Sequence, residues 1–267
     1  MQTLIYQCWT GPMRSGVVAS RENISAYAQR IGAEYRYDLN PNIAGKVCDV
    51  PMYFEWLNPL LDDAFLKYDR VLALDLDVFA VDGLEENPFD VPIADVGICT
   101  EPYQPEYRCR FPAKSPSTIC RTNDERWAEV VDRRLDVKLP RICGLLKVYN
   151  AGVVMFSAEG LLKARKLFMP FQDYITAMRK EGMGRFYTVD QNYFHAMMVK
   201  YLDYSELDPG WNSYVHFVGD NTISPRPVHD SRNEQTKLVH IQLRAADDFD
   251  AAKLWRITNR PQNEWRL

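Results

Sequence analysis

The sequence lacks any apolar run near the roughly 20 residues that cross a bilayer. Its N-terminal stretch, Met1-Gln2-Thr3-Leu4-Ile5-Tyr6-Gln7-Cys8-Trp9, has no basic segment leading into a long hydrophobic one, so it does not read as a signal peptide. Positive charge is not in excess: 32 basic side chains stand against 36 acidic ones, which argues against holding nucleic acid by charge alone. Four histidines are too few for a His-rich metal store. The six cysteines, Cys8, Cys48, Cys99, Cys109, Cys120 and Cys143, form no Cys-x-x-Cys pair. That spacing excludes a zinc ribbon or disulfide scaffold and leaves buried free thiols in a reducing compartment. No repeat or low-complexity tract interrupts the chain. The expectation is a soluble, cytoplasmic protein. With 267 residues, 46% hydrophobic and 25% charged, the chain has the apolar content of a folded protein and the length of one or two domains.

Leu4 to Cys8 reads as a first strand, closed by Thr10-Gly11-Pro12. Ser20 then reads as the N-cap of a helix carrying Ile24, Tyr27, Ala28 and Ile31 and ending at Gly32. Tyr35 to Tyr37 forms a second short strand. Pro51 opens a helical stretch with Tyr53, Trp56, Leu57, Leu60 and Ala64 on one face, kinked at Pro59. Arg70 to Leu74 is nearly continuous in apolar residues, as a strand buried on both faces is. Further strands are expected at Val96–Thr100, Lys147–Ser157 and Lys237–Ile241, and helices at Asn123–Arg134, at about 159–168 and from Thr188. The alternation of strand and helix predicts an α/β fold, a mostly parallel central sheet flanked by helices, in a single domain over 1–267.

The chemistry is concentrated in Val71-Leu72-Ala73-Leu74-Asp75-Leu76-Asp77-Val78-Phe79. Two carboxylates stand at the carboxyl end of a buried strand, where α/β sheets bind ligands. Left charged side by side they repel, unless a cation joins them. Hard oxygen ligands suit Mg²⁺ or Mn²⁺, which gain further ligands from substrate phosphate. Asp75 and Asp77 are therefore expected to hold a divalent metal and, through it, a diphosphate. Tyr6, Gln7 and Trp9 are candidates to frame a nucleotide base, and Lys46 to balance phosphate or sugar charge; for Tyr6 and Trp9 a core role fits equally well.

An apolar strand running into Asp-x-Asp resembles the metal site of GT-A nucleotide-sugar glycosyltransferases. Further segments are similar to the glycogenin and galactosyltransferase-like retaining family: Asn150-Ala151-Gly152, Asp190-Gln191, Trp211-Asn212, and Lys237-Leu238-Val239-His240-Ile241, in the same order. The resemblance implies a single GT-A (Rossmann-like) domain, with residues 1–100 as the nucleotide-binding half, 101–245 as the acceptor and catalytic half and 246–267 as a tail. It implies metal-dependent transfer of a hexose from a UDP-linked donor to a glycan or glycoconjugate hydroxyl, with retention. In that reading Asp75, Asp77 and His240 hold Mn²⁺ (or Mg²⁺), and His216, in a similar His-Phe-x-Gly wording, ranks second. Asp75, Leu76, Asn150, Ala151 and Gly152 face the donor, and Asp190 and Gln191 face the anomeric carbon. The chain departs from the family's Gly-x-x-Lys-Pro after the histidine, so Arg244 is the expected diphosphate cation.

Other readings follow from the same residues. Helix N-capping explains Asp190 without a catalytic role, and His240 between apolar neighbours fits a core histidine. Gly219-Asp220-Asn221 echoes the late acidic motif of the haloacid dehalogenase-type phosphatases, which also use Mg²⁺ at a buried strand with Asp-x-Asp. A carbohydrate-binding module without catalysis would suit the 12% aromatic content. The segment 101–147, with Tyr103, Tyr107, Arg108, Arg110, Arg121 and Arg141, is the expected acceptor side. Trp255 and Trp265 give the tail apolar mass for packing or for a homo-oligomeric interface.

Overall fold

The computed structural model of the protein describes residues 1–101, 115–216, 229–241, 249–261 and 264. Strand β1 (Thr3–Trp9) leads into helix α1 (Ser15–Ile31) and strand β2 (Glu34–Leu39). Strand β3 (Arg70–Leu74) is followed after three residues by the short β4 (Val78–Ala80), and β5 is Val96–Thr100. Helix α2 (Arg121–Leu135) precedes a small hairpin, β6 (Arg141–Ile142) and β7 (Leu145–Leu146), and the long β8 (Tyr149–Ser157). Helices α3 (Ala158–Leu167), α4 (Phe171–Lys180) and α5 (Asp190–Tyr201) follow, then β9 (Tyr204–Glu206), β10 (Ser213–His216), β11 (His229–Asp230), β12 (Leu238–Ile241) and α6 (Ala251–Asn259).

The central sheet has the order β2-β1-β3-β8-β5-β9. Its strands run parallel except β8, which is antiparallel to both neighbours. The α/β architecture with a mostly parallel sheet is the one expected. In β3, alternate side chains enter different cores. Val71 and Ala73 pack with Tyr6, Val154, Phe156 and residues of α2 to α5, while Leu72 and Leu74 pack with Ile5, Met155 and Ile24 of α1. Burial on both faces accounts for the unbroken apolar run.

A second sheet, β11-β10-β12-β4, adjoins the first. The chain leaves the central sheet at Leu74 and enters the second at Val78, so Asp75-Leu76-Asp77 is the crossing point. Each side of the crossing is pinned: Asp75 N–H donates to the Gly152 carbonyl of β8 at 2.9 Å, and Ile241 N–H of β12 donates to the Asp77 carbonyl at 2.7 Å. This geometry brings β8 and β12 to the two carboxylates.

Several local expectations change. Helix α1 starts at Ser15, one turn and more before Ser20, and Ser20 is wholly buried. Its hydroxyl donates to the Val78 carbonyl at 2.8 Å and accepts from the Gln7 amide at 3.1 Å, tying β4 to β1 instead of capping a helix. Gly32 closes the helix as expected, at φ 72°, where a left-handed residue lets its N–H reach Ala28 and Gln29 carbonyls. The expected helix over 51–64 is instead a chain of 3₁₀ turns at Pro51–Tyr53, Glu55–Leu60 and Asp63–Phe65. Pro59 removes a helical donor, and the Asp62 side chain accepts from Ala64 N–H, opening a separate turn. Trp56, Leu57 and Leu60 are nonetheless buried. Helix α4 was not expected, although Phe171, Tyr174, Ile175 and Met178 follow Pro170 at helical spacing and are buried. Cys99 and Cys120 are buried free thiols, but Cys143 is exposed at φ 50° in the turn between β6 and β7.

Candidate active site

Beyond the carboxyl ends of β1 and β3 lies a cleft of about 590 Å³. Its walls include Trp9 and Arg14 on one side, Met52, Tyr53, Glu55 and Trp56 on another, and Asp190 at the start of α5; Asp75, Leu76 and Asp77 also line it. At the Asp75–Asp77 edge, one ligand atom from each of Asp75, Asp77 and His240 falls within 4.8 Å of the others. His240 Nε2 is 3.0 Å from Asp77 Oδ1 and 3.9 Å from Asp75 Oδ2. The pairing of β12 with β4 sets His240 against Val78, one residue past Asp77. A residue 163 positions downstream of the second carboxylate is thus a sheet neighbour of it.

The electrostatics are those of crowded acids. The Asp75 carboxyl opens to the cleft, 41% exposed. Desolvation there, reinforced by the Asp77 charge, pushes it up to about 7. His240 is 4% exposed. Burial disfavours its imidazolium, but Asp77 and then Asp75 outweigh that, and its pKa stands above the ordinary value. Asp190 is pushed up to about 6 by burial, against the opposing effect of the Trp56 indole N–H, which donates to Oδ2 at 2.7 Å. The donor set tests directly for a metal: two carboxylates and one imidazole, with oxygen and nitrogen atoms at chelating separation, fit a first-row divalent cation, and the imidazole favours Mn²⁺ over Mg²⁺.

Of the candidate residues, Trp9, Asp75, Leu76, Asp77 and Asp190 line the cleft, and His240 joins the two carboxylates. Others lie elsewhere. Tyr6 is fully buried, its ring edge-on to Phe65 and its hydroxyl accepting from Asn58, so it is a core aromatic. Gln7 is fully buried too: its amide donates to the Asp75 carbonyl at 3.0 Å and accepts from Tyr35, so it supports the backbone of the acidic segment and cannot reach a base. Lys46 is exposed and is not among the residues lining the cleft. Asn150, Ala151 and Gly152 are buried on β8. Gln191 is half-buried beside Asp190 and does not line the cleft. Arg244, Trp265, the Gly219-Asp220-Asn221 motif, and Tyr103, Tyr107, Arg108 and Arg110 of the expected acceptor side lie outside the described residues. Arg141 pairs with Glu125 at 2.7 Å, away from the cleft. His216 ends β10, in register with His229.

Trp56, Glu55 and Arg14 entered no expectation for the cleft. Glu55 is 3% exposed and accepts from the backbone N–H groups of Ile43 and Ala44, holding that loop. Trp56 reaches Asp190 across 134 positions of sequence, a contact with no local signal.

No protein-family model matches the chain, and no curated protein does. Solved structures similar to it include the galactosyltransferase LgtC in complex with donor and acceptor sugar analogues, at 12% identity over 98% of this chain and 99% of that one, with a TM-score of 0.49. A glycosyltransferase involved in glycosylation of the major capsid of PBCV-1 is 13% identical, covering 97% and 98%, with a TM-score of 0.47. The glycosyltransferase GlyE of Streptococcus pneumoniae TIGR4 is 12% identical, covering 99% of this chain and 62% of that one, with a TM-score of 0.45. Likeness at this level concerns the chain trace and says nothing of chemistry. No helix among the described residues is long and apolar enough to cross a membrane.

Proposed function

We propose that the protein is a GT-A-type glycosyltransferase that moves a hexose from a UDP-linked donor to a hydroxyl of a glycan or glycoconjugate acceptor. The observation that carries this reading is the Asp75–Asp77–His240 cluster set at the edge of an aromatic-walled cleft. Asp75, Asp77 and His240 would hold a divalent cation, which would supply charge neutralisation to the departing diphosphate, more in the transition state than in the ground state. The protein's own groups do the rest. Trp9 offers a ring face to a base or sugar. Arg14 is the cation among the described lining residues and is suited to phosphate oxygens. Asp190, held by the Trp56 indole N–H and by backbone N–H groups at the start of α5, would face a sugar hydroxyl or positive charge building at the anomeric carbon. Retention at that carbon rests on the resemblance of Asp190-Gln191 to the retaining family.

Thermal unfolding with UDP-glucose, UDP-galactose and UDP alone, each with and without Mn²⁺, tests the proposal. A true donor raises the melting temperature only when the metal is present. Stabilisation by none of them, or metal-dependent release of inorganic phosphate in place of UDP, would overturn it.

A further inference from the structure

The Asn150-Ala151-Gly152 segment, which resemblance assigns to the donor sugar, and the Trp211-Asn212 dipeptide are buried behind His240. Asn150 is 4% exposed and Asn212 2%. Their hydrogen bonds form a line in which each direction is forced by the one before. The Gly152 backbone N–H can only donate, and the Asn150 side-chain atom it meets at 2.9 Å must therefore be the oxygen, Oδ1. Asn212 also approaches that Oδ1 at 2.9 Å, so it must present its amide nitrogen there. Its own oxygen is then turned to His240 Nδ1, 3.2 Å away. An oxygen at that position asks for a proton on Nδ1, while Asp77 Oδ1, 3.0 Å from Nε2, draws the second ring proton, the one a bound cation would replace.

We infer that Asn150 and Asn212 are positioning residues: a relay from the Gly152 amide that keeps a proton on His240 Nδ1, so that Nε2, beside Asp77 and Asp75, is the nitrogen a cation would take. With the cation in place of the Nε2 proton, three lone-pair-bearing groups would converge on it. Gly152 serves the same end by having no side chain. A Cβ there would lie 2.3 Å from His240 Cε1 and 2.5 Å from Nδ1. The ring is held on its other side by Tyr214, with centroids 4.6 Å apart. The β8 segment thus holds the metal-binding ring.

This inference rests on the metal site proposed above, and the test separates the two. Mn²⁺ binding is followed by electron paramagnetic resonance of the free ion for the wild type, Asn212→Leu and Asn150→Asp. The leucine removes the acceptor facing Nδ1, and affinity should fall about 10- to 100-fold, as when outer partners of metal-bound histidines are lost. The aspartate keeps an oxygen for both Gly152 and Asn212, and the Tyr214 hydroxyl, which accepts from the Asn150 amide at 3.5 Å, turns to donate to the other oxygen, so binding should equal or exceed that of the wild type. Ring-nitrogen NMR of the Zn²⁺-loaded wild type should place the His240 proton on Nδ1. Wild-type affinity in Asn212→Leu, a loss in Asn150→Asp, or a metal bound through Nδ1 each overturns the relay and leaves the metal site standing. A wild type that binds neither ion overturns both.

Discussion

Replacing Gly152 by alanine perturbs the metal site without touching a ligand atom. The new Cβ would sit 2.3 Å from His240 Cε1, where carbon atoms pack at about 3.5 Å, so the ring must give way by about 1 Å. It has little room: Asn212 stands 3.2 Å from Nδ1, and the Tyr214 ring packs against the imidazole. Overpacking of this kind costs roughly 1–3 kcal/mol of stability, which urea unfolding of the metal-free protein measures. The displaced Nε2 would also leave its 3.0 Å approach to Asp77. A loss of about 10- to 100-fold in Mn²⁺ affinity is expected, or about 1.4–2.7 kcal/mol, measured by calorimetric titration. The decisive control is the same substitution in a His240→Ala background, where the methyl group has space. Most of the stability cost should vanish there, a coupling well above the roughly 0.5 kcal/mol scatter of independent sites. An equal cost in both backgrounds would refute the clash with His240.

Asp77→Asn should leave the protein folded and abolish both turnover and Mn²⁺-dependent thermal stabilisation; retained sugar transfer in that variant would count heavily against the proposed function. Asp190 titrates near 6 in the folded protein, above the 3.8 of an unperturbed aspartate, so its burial lowers stability as pH rises from about 4 to about 6. Asp190→Asn should then stabilise the metal-free protein at pH 7.5 by about 1–3 kcal/mol, with the gain fading below pH 4. Urea midpoints across that range decide it, and a gain independent of pH would contradict the assignment. Trp56→Phe keeps the ring packing on Phe194 but deletes the N–H that Asp190 accepts. The Asp190 titration, followed by carboxyl-carbon NMR, should move upward, and an unmoved midpoint would show that the indole does not hold the acid.

What could be read from the chain alone was what short segments settle by themselves. The apolar run Val71–Leu74 has no polar face, so it must be covered on both sides, and the acids that follow must stand at its end. Gly32 stops a helix because a left-handed residue is needed there and glycine supplies it at little strain. Segments whose polar groups bond at a distance depart from their local pattern. Ser20 looks like a cap and is a clasp between β1 and β4. The 51–64 stretch has helical spacing, but its prolines and the Asp62 side chain divide it into 3₁₀ turns. Gln7 and Asn150 have the chemistry to meet a ligand, yet the sheet covers both. The resemblance put His240 ahead of His216 beside the acids, but the contact itself is tertiary, because β12 pairs with β4 and carries His240 to Asp77. Only the tertiary structure joined Trp56 to Asp190. The physical reason is range: backbone propensity and apolar periodicity act within a few residues, whereas a chelating site and a directed hydrogen-bond relay exist only where distant strands are brought to within about 3 Å of one another.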